Sequence, residues 1–199
     1  KSLTVPGSIK AIRDDAFCQC TSLTELTVSE GITHIYSAFE RCYALSKVTL
    51  PSTLEAINRG AFLNCTELKN VYYNGSVEEW CNIVFDQTYS NPLFCGANLY
   101  CNGVLVTSVT LPDGITKVPS NVFSGCISIT EVIIPEGVTE IGSYAFQSCK
   151  KLESITIPDT VKSIGNSAFA GANLWSLTIP DSVTSIGDWA FHYNTHLDG

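Results

Sequence analysis

Nine cysteines and three histidines are the side chains of this sequence best suited to nucleophilic chemistry or metal binding. Five of the cysteines share one position of an internal repeat, which predicts a buried column of thiols that act as small apolar fillers. They are Cys20, Cys42, Cys65, Cys126 and Cys149. The others are Cys18, Cys81, Cys95 and Cys101. A disulfide among those within residues 71–108 stays open, because sequence alone does not determine connectivity.

The histidines and carboxylates form no catalytic or metal-binding set. His192 and His196 have the i, i+4 spacing of one helical face but lack a third ligand nearby, and His34 occupies a variable, solvated repeat position. Nucleophilic catalysis needs a base beside a nucleophile and a third orienting group, which three scattered histidines do not supply. Recurring carboxylates follow prolines and mark turns. They are Asp113, Glu136, Asp159 and Asp181. We therefore predict a protein that is not an enzyme and holds no metal and no cofactor.

Composition and charge exclude several classes of partner. The chain has 199 residues, a net charge of −8 and a pI near 4.7, whereas nucleic acids and anionic membranes require a cationic surface. No apolar run approaches the ~18–20 residues that span a bilayer. The sequence contains no methionine, and we interpret it as part of a longer protein.

An internal repeat positions all of these side chains. Successive copies begin about 22–23 residues apart, except for one longer interval between Val71 and Val109. Their first residues are Leu3, Leu26, Val48, Val71, Val109, Val132, Ile155 and Leu177. Apolar alternation at the start of each copy predicts a half-buried strand, which a proline such as Pro51 ends. A second apolar pair and an Ala-Phe pair, such as Ala145 and Phe146, fill the centre of the coil, and only stacked coils can bury this apolar side.

Three segments carry a resemblance to a known family: LTIPDSVTSIGDWAF, VIIPEGVTEIGSYAFQSC and VTLPSTLEAINRGAFLNC. They resemble leucine-rich repeats of the BspA-like type, found in surface proteins of gut bacteria and some protozoa. The resemblance implies an α/β-type repeat solenoid, a leucine-rich repeat arc with a parallel β-sheet on one face. It also implies second short strands and short helical or 3-10 turns elsewhere, with about 23 residues per coil. We expect one domain over residues 1–199, located at the cell surface or outside the cell.

Residues 71–108 form a divergent repeat. Ser76 and Glu79 have the spacing of a capping box, and the apolar residues Val77, Trp80, Cys81 and Val84 predict a short helix from about Val77 to Ile83. Asn102-Gly103 between two apolar runs predicts a hairpin. Seven aromatic residues lie here: Tyr72, Tyr73, Trp80, Phe85, Tyr89, Phe94 and Tyr100. They favour a local core, or alternatively a binding patch of exposed Tyr72 and Tyr73.

The outward positions of the strands form a candidate partner-binding face. Its residues are Glu25, Thr27, Lys47, Thr49, Asn70, Tyr72, Tyr73, Thr110, Glu131, Ile133, Thr156 and Thr178. Threonine favours strands and pairs across them, so sheet stabilisation alone is one interpretation of this row. The other interpretation is a mildly polar platform, because solenoid faces are binding surfaces.

Two functional hypotheses follow. The first is a non-catalytic adhesion or protein-interaction module of a cell-surface or secreted protein, with a host or extracellular matrix protein among the expected partners. The second is a carbohydrate-binding module centred on Tyr72, Tyr73 and the divergent repeat. Neither hypothesis involves nucleic acid or insertion into a membrane.

Overall fold

Alternating apolar residues give each coil short strands, and the strands of successive coils pair in parallel. The computed structural model describes residues 1–197. Contacts within the chain separate two compact units, Lys1–Leu105 and Val106–Gly199. The predicted solenoid of coils with parallel sheets and little helix is confirmed, whereas one domain over residues 1–199 stays a prediction.

The first unit contains two sheets. The larger sheet has the strand order β1-β3-β5-β7-β9-β10, and its neighbours are parallel except for the β9–β10 hairpin. Numbered along the chain, its strands are β1 Ser2–Val5, β3 Glu25–Val28, β5 Lys47–Leu50, β7 Asn70–Tyr73, β9 Asn98–Cys101 and β10 Val104–Leu105. The smaller parallel sheet consists of β2 Ala11–Ile12, β4 His34–Ile35, β6 Ala56–Ile57 and β8 Val84–Phe85.

The second unit repeats this plan with shorter strands. One parallel pair is formed by β11 Ser108–Thr110 and β13 Glu131–Ile133. A four-stranded parallel sheet consists of β12 Lys117–Val118, β14 Glu140–Ile141, β15 Ser163–Ile164 and β16 Ser185–Ile186.

Prolines control the length of the strand pairing. Where the residue after a strand has an N–H group, that group donates a hydrogen bond to the paired strand of the preceding coil. Examples are Ser29 N to Val5 O at 3.0 Å and Asn74 N to Leu50 O at 2.9 Å. The pairing of β1 with β3 and that of β5 with β7 each include four residue pairs. The strand β5 is followed by Pro51, which lacks the donor, and it pairs with β3 through three residues.

Regular strands predicted at Ile155 and Leu177 are not present, so this part of the sequence prediction is wrong. In the described structure, these segments pair with neighbouring coils only through the isolated bridges Ile133↔Thr156 and Ser154↔Ser176. In the second unit, a proline follows the first strand segment of each coil, and each of these prolines removes the N–H that would lengthen the ladder. These prolines are Pro112, Pro135, Pro158 and Pro180.

Stacked phenylalanine rings run through the centre of each unit. In the first unit, the ring of Phe39 lies 5.3 Å from that of Phe17 and 5.6 Å from that of Phe62. In the second unit, Phe123, Phe146, Phe169 and Phe191 stack in turn at 5.8, 5.5 and 5.4 Å. The prediction that these side chains line up is confirmed within each unit. Each such pair contributes ~0.5–1.5 kcal/mol beyond its buried area.

The cysteine column lies beside the phenylalanine rows and does more than fill space. Cys42, Cys65 and Cys149 are buried, and each Sγ donates to the carbonyl oxygen of the phenylalanine in the preceding coil, at 3.2, 3.3 and 3.2 Å. Asn194 occupies the equivalent position and donates to Phe169 O at 2.8 Å. The prediction of burial is wrong for Cys20, which is exposed because no coil precedes it in the described structure.

The divergent repeat contains the predicted helix and hairpin. The helix α1 spans Val77–Cys81 and begins with a complete capping box between Ser76 and Glu79. It is shorter than predicted, because Val84 pairs with Ala56 as part of β8 and is 59% exposed. Two 3-10 turns follow at Thr88–Ser90 and Pro92–Cys95. The hairpin turn has left-handed backbone at Asn102 and Gly103, as predicted.

Two backbone positions in most coils adopt the left-handed conformation. One precedes the Ala-Phe pair, and the other lies two residues after the phenylalanine, as at Tyr144 (φ 60°) and Ser148 (φ 57°). The corresponding residues of the next coil are Ser167 (φ 50°) and Gly171 (φ 64°). A side chain costs free energy in this conformation, whereas glycine adopts it readily.

We expect Ser148→Gly to stabilise the protein by about 0.5–1 kcal/mol, because the left-handed position then carries no Cβ. The reciprocal change Gly171→Ser serves as the matched control. Its new Cβ would lie 3.6 Å from Ser148 Oγ, which is an ordinary contact. A loss of stability in Gly171→Ser would therefore reflect the cost of the left-handed backbone conformation and not a steric clash. Denaturant unfolding of both variants measures the difference, and stabilisation by both changes would contradict the argument.

Glu30 ties together three successive coils. Its carboxylate accepts hydrogen bonds from Ser52 N at 3.0 Å, Ser52 Oγ at 3.0 Å, Thr53 N at 3.3 Å and Asn74 Nδ2 at 3.4 Å. Partial burial raises the pKa of this carboxyl, but the hydrogen bonds outweigh burial and hold the pKa below its ordinary value of 4.5.

Because the pKa of Glu30 is lower in the folded state, its carboxylate stabilises the fold above pH 4.5, and this contribution is lost as pH falls through the folded value. We expect Glu30→Gln to reduce stability by about 0.5–1 kcal/mol at pH 7 and by less at pH 3. The control is Glu67→Gln, at an exposed glutamate that accepts no side-chain hydrogen bond within residues 1–197. An equal loss for Glu30→Gln at both pH values would contradict the assignment.

Candidate functional site

The histidines do not assemble into a reactive site. His192 and His196 lie in turns rather than on one helical face, so the helical spacing read from the sequence does not apply. The ring of His196 stacks on Trp175 at 4.6 Å, and that of His192 lies 4.0 Å from the ring of Tyr193. His34 is half-buried, with Nδ1 at 2.9 Å from Thr33 Oγ1. Among residues 1–197, no group of three or more histidine, cysteine, aspartate and glutamate side chains is placed to hold a metal.

Burial lowers the reactivity of several cysteine thiols. Cys81 and Cys95, two candidates for a bridge in the divergent repeat, are free thiols. Burial raises the pKa of Cys42 to about 11, of Cys81 to about 12 and of Cys95 to about 11. Burial also raises the pKa of Cys65 and Cys149 well above the ordinary value. Since the thiolate is the reactive form, these cysteines are poor nucleophiles at neutral pH.

The outer face of the first sheet is where the predicted surface residues come together. We define it as two rows of outward side chains on β1, β3, β5, β7 and β9, placed side by side by the strand register. The first row is Thr4, Thr27, Thr49, Tyr72 and Tyr100, and the second is Ser2, Glu25, Lys47, Asn70 and Asn98. The second unit carries Thr110, Glu131 and Ile133 on β11 and β13, all exposed, whereas the exposed Thr156 and Thr178 lie outside regular strands.

A stacked pair of tyrosines marks one end of this face. The rings of Tyr72 and Tyr100 lie 4.4 Å apart and nearly parallel, at 16°. On the other side of Tyr72, Lys47 Nζ lies 5.2 Å from the ring centroid. Asn98 Nδ2 donates to Asn70 Oδ1 at 3.1 Å in the neighbouring row. Tyr100 and Lys47, from the strands on either side of β7, therefore both contact the Tyr72 ring, and the two tyrosines are half-buried.

Tyr73 is not on this face, so the expectation that it is exposed is wrong. It is 1% exposed, its hydroxyl donates to Ser52 O at 3.3 Å, and its ring meets Trp80 edge-on at 5.4 Å. Burial raises its pKa to about 12, with the nearby Glu79 adding to the shift. The reason is strand geometry, because successive side chains point to opposite faces and Tyr72 occupies the outward position. With Trp80 and Phe85 also buried, much of the aromatic cluster is local core.

Tyr100 and Asn98 were missing from the predicted face. The repeat pattern predicts one divergent copy over residues 71–108, whereas the structure contains an additional ladder strand in β9. A signal for it exists in the sequence: NVYYNG at residues 70–75 returns as NLYCNG at residues 98–103. The interval from Asn70 to Asn98 is longer than the regular repeat, which concealed the match.

The fold and its repeats define a leucine-rich repeat solenoid. The family model for the BspA type leucine rich repeat region (6 copies) matches residues 1–95 and 94–198. The chain belongs to this family. A comparison with curated protein sequences finds no match.

Two solved structures share the fold. The pneumococcal vaccine antigen PcpA is 16% identical, with a TM-score of 0.50 over 100% of this chain and 71% of the antigen. A leucine-rich repeat protein from Bacteroides ovatus is 23% identical, with a TM-score of 0.50 over 100% of this chain and 60% of its own. None of the helices in the described chain has the length and apolar character of a membrane span.

Thiol labelling tests the account of the cysteines. We expect iodoacetamide at pH 7.5 to modify Cys20 in the folded protein and to leave Cys42, Cys65 and Cys149 unmodified, because burial suppresses both access and ionisation. Peptide mapping by mass spectrometry measures the sites. The same reaction in guanidinium chloride is the control and should label the buried column. Rapid native labelling of Cys65 would contradict the assignment.

Proposed function

We propose that this protein is a non-catalytic protein-interaction and adhesion module of a cell-surface or secreted protein. It binds a protein partner through the outer face of the first sheet, with Tyr72 and Tyr100 at the centre of contact and Lys47 in the polar rim. Membership of a repeat family that generally serves as a scaffold supports the absence of catalysis. The likeness to a pneumococcal vaccine antigen supports a surface location.

The stacked tyrosine pair is the observation that carries this proposal. Tyrosine is enriched at binding hot spots because it combines a large apolar area with a hydroxyl group and few rotatable bonds. Stacking holds Tyr72 and Tyr100 in place before a partner arrives, which lowers the entropy lost on binding. Lys47 supplies a positive charge and the Asn70–Asn98 pair supplies amide groups at the rim. A rigid aromatic centre with a polar rim is the usual composition of a protein interface.

The same geometry disfavours the stacking of a sugar on Tyr72. A pyranose ring packs its C–H groups against a free aromatic face, but Tyr100 and Lys47 both contact the Tyr72 ring. Tyr73, the other residue of the carbohydrate hypothesis, is buried. Half-buried phenol groups such as these are suited to hydrogen bonds and edge contacts with a protein surface.

We expect the purified chain to bind at least one member of a panel of immobilised host-surface and extracellular matrix proteins. Tyr72→Ala and Tyr100→Ala should each weaken that binding by about tenfold or more, since the truncation of a hot-spot tyrosine costs about 2 kcal/mol. Surface plasmon resonance measures the dissociation constants. Circular dichroism of each variant confirms that the sheet is retained.

Tyr43→Ala is the matched control, because Tyr43 is an exposed tyrosine outside the strands of this sheet. It should bind as the wild type does. Loss of binding in Tyr43→Ala, with Tyr72→Ala and Tyr100→Ala unaffected, would overturn the assignment of the face. Binding to a glycan array that Tyr72→Ala abolishes would favour the carbohydrate hypothesis instead.

A further inference from the structure

Two successive coils of the second unit separate along their first strand segments. Residues 154–157 pair with residues 176–179 only at the isolated bridge Ser154↔Ser176. In the first unit, the corresponding strands β3 and β5 pair through three residues, although Pro51 follows β5. A proline after the strand therefore does not by itself open the ladder to this extent.

Hydrogen bonds hold the same two coils together on both sides of this opening. Before it, Trp175 N donates to Glu153 O at 2.8 Å. Beyond it, Ser182 Oγ donates to Val161 O at 2.8 Å, and the strands β15 and β16 then pair in parallel. The opening is therefore confined to the residues between these contacts.

The opening forms a cleft with a volume of about 440 Å³, which we call the strand cleft. It is lined by residues 154–157 and Asp159 on one side and by residues 176–178 and Pro180 on the other. Its volume lies within the range of ~300–1,000 Å³ that is usual for ligand sites. The side formed by residues 154–157 is ~13 Å long, because an extended chain rises ~3.3 Å per residue.

Backbone groups along the strand cleft lack the partners that equivalent groups have in a regular ladder. In the first unit, Asn74 N donates to Leu50 O at 2.9 Å. The equivalent of Asn74 is Pro180, which has no N–H group, and Ile157 O accepts no backbone hydrogen bond within residues 1–197. On the other side of the cleft, Thr178 N donates to no backbone oxygen of the described chain. The two sides thus present an acceptor and a donor without a backbone partner.

An extended peptide can supply both missing partners. A β-strand carries N–H and C=O groups on each of its edges, so one segment can donate to Ile157 O and accept from Thr178 N. Its side chains alternate between two faces, which suits apolar residues beside the buried Ile155 and Ile157 and polar residues beside the exposed Thr156. The addition of a strand to unpaired backbone is a recurrent mode of peptide recognition.

Charge limits the class of peptide. Residues 106–199 hold nine carboxylates against four lysines, a net charge of −5. Asp159 is exposed and lines the strand cleft, whereas none of the lining residues in the described chain is a lysine or an arginine. An acidic peptide would be repelled from this unit, and a lysine or arginine side chain can pair with the Asp159 carboxylate.

We propose that the strand cleft binds a short extended segment of a partner protein, about four residues long. In this segment, apolar residues alternate with polar ones, and a lysine or arginine pairs with Asp159. The site is separate from the outer face of the first sheet, because both of its sides belong to the second unit. It does not depend on the tyrosine pair, so each site can be tested without the other.

The test titrates the isotope-labelled 199-residue chain with the terminally blocked pentapeptides KVTVT and TVTVK, which carry lysine at opposite ends. Nuclear magnetic resonance should detect binding of at least one of them, with a dissociation constant of about 1 mM or below and a shift of the Thr178 amide signal. Glutamate in place of lysine should weaken binding about threefold or more. N-methylation of the three central residues should weaken it about tenfold or more, because it removes the N–H donors of the peptide.

Two variants of the protein test the sides of the strand cleft. Thr178→Trp should fill the cleft and weaken binding about tenfold or more, and Asp159→Asn should remove the preference for lysine over glutamate. The matched controls are Thr110→Trp and Asp113→Asn, at exposed residues of the same repeat positions outside the cleft. Both controls should bind as the wild type does, within about twofold. Circular dichroism of each variant confirms that the fold is retained.

Several results would overturn the proposal. They are the absence of binding of both lysine peptides, equal affinity for the glutamate or the N-methylated peptides, and unchanged binding by Thr178→Trp. Hydrogen exchange of the free protein gives a further test, because the Thr178 amide should exchange faster than that of Thr49, its equivalent in the paired strand β5. Equal protection of the two amides would mean that the cleft is closed, and it would overturn the proposal as well.

Discussion

Stacked phenylalanine rings and the backbone hydrogen bonds beside them hold each coil of this protein to its neighbour. No coil buries its own apolar side, so the fold within each unit depends on ring-to-ring contacts of 5.3–5.8 Å repeated from one coil to the next. Other side chains adapt to that spacing. Glycines at Gly142 and Gly165 allow neighbouring backbones to approach, because a Cβ there would lie 2.6 Å from Val118 O and 2.5 Å from Ser143 N. Cysteine thiols donate hydrogen bonds to the backbone carbonyl groups of the phenylalanines.

Differences between the two units arise from small changes in this common plan. Residues with an N–H group after β3 and β7 lengthen the pairing in the first unit, and the result is a regular sheet that brings Tyr72 and Tyr100 together. In the second unit, a proline after the first strand segment of each coil shortens the ladder. Its exposed aromatic residues instead occupy turns, where left-handed backbone directs Trp189 and Tyr193 to solvent. One repeat thus produces two kinds of surface, a regular sheet face and turns that carry exposed aromatic side chains.

The local features were predictable where the signal lies within a few residues. The capping box of Ser76 and Glu79 and the Asn102-Gly103 hairpin depend on local backbone geometry, and both are confirmed. The phenylalanine rows follow from the repeat spacing, because equivalent residues of stacked coils must lie side by side in the interior. The exposure of Tyr73 was predicted wrongly, since adjacent tyrosines on a strand cannot share a face. Tyr100 was missed because its strand returns after a longer interval than the regular repeat.

Repetition in the amino-acid sequence was sufficient to predict the coil, most of its buried positions and the family. These properties depend on periodicity, which a linear chain displays directly. The meeting of Tyr72, Tyr100 and Lys47 emerged only when the coils were stacked. Such contacts join residues far apart in the chain, and their geometry depends on strand register and on the sign of φ at single residues. Neither quantity can be obtained from residue types alone, because packing between coils selects both.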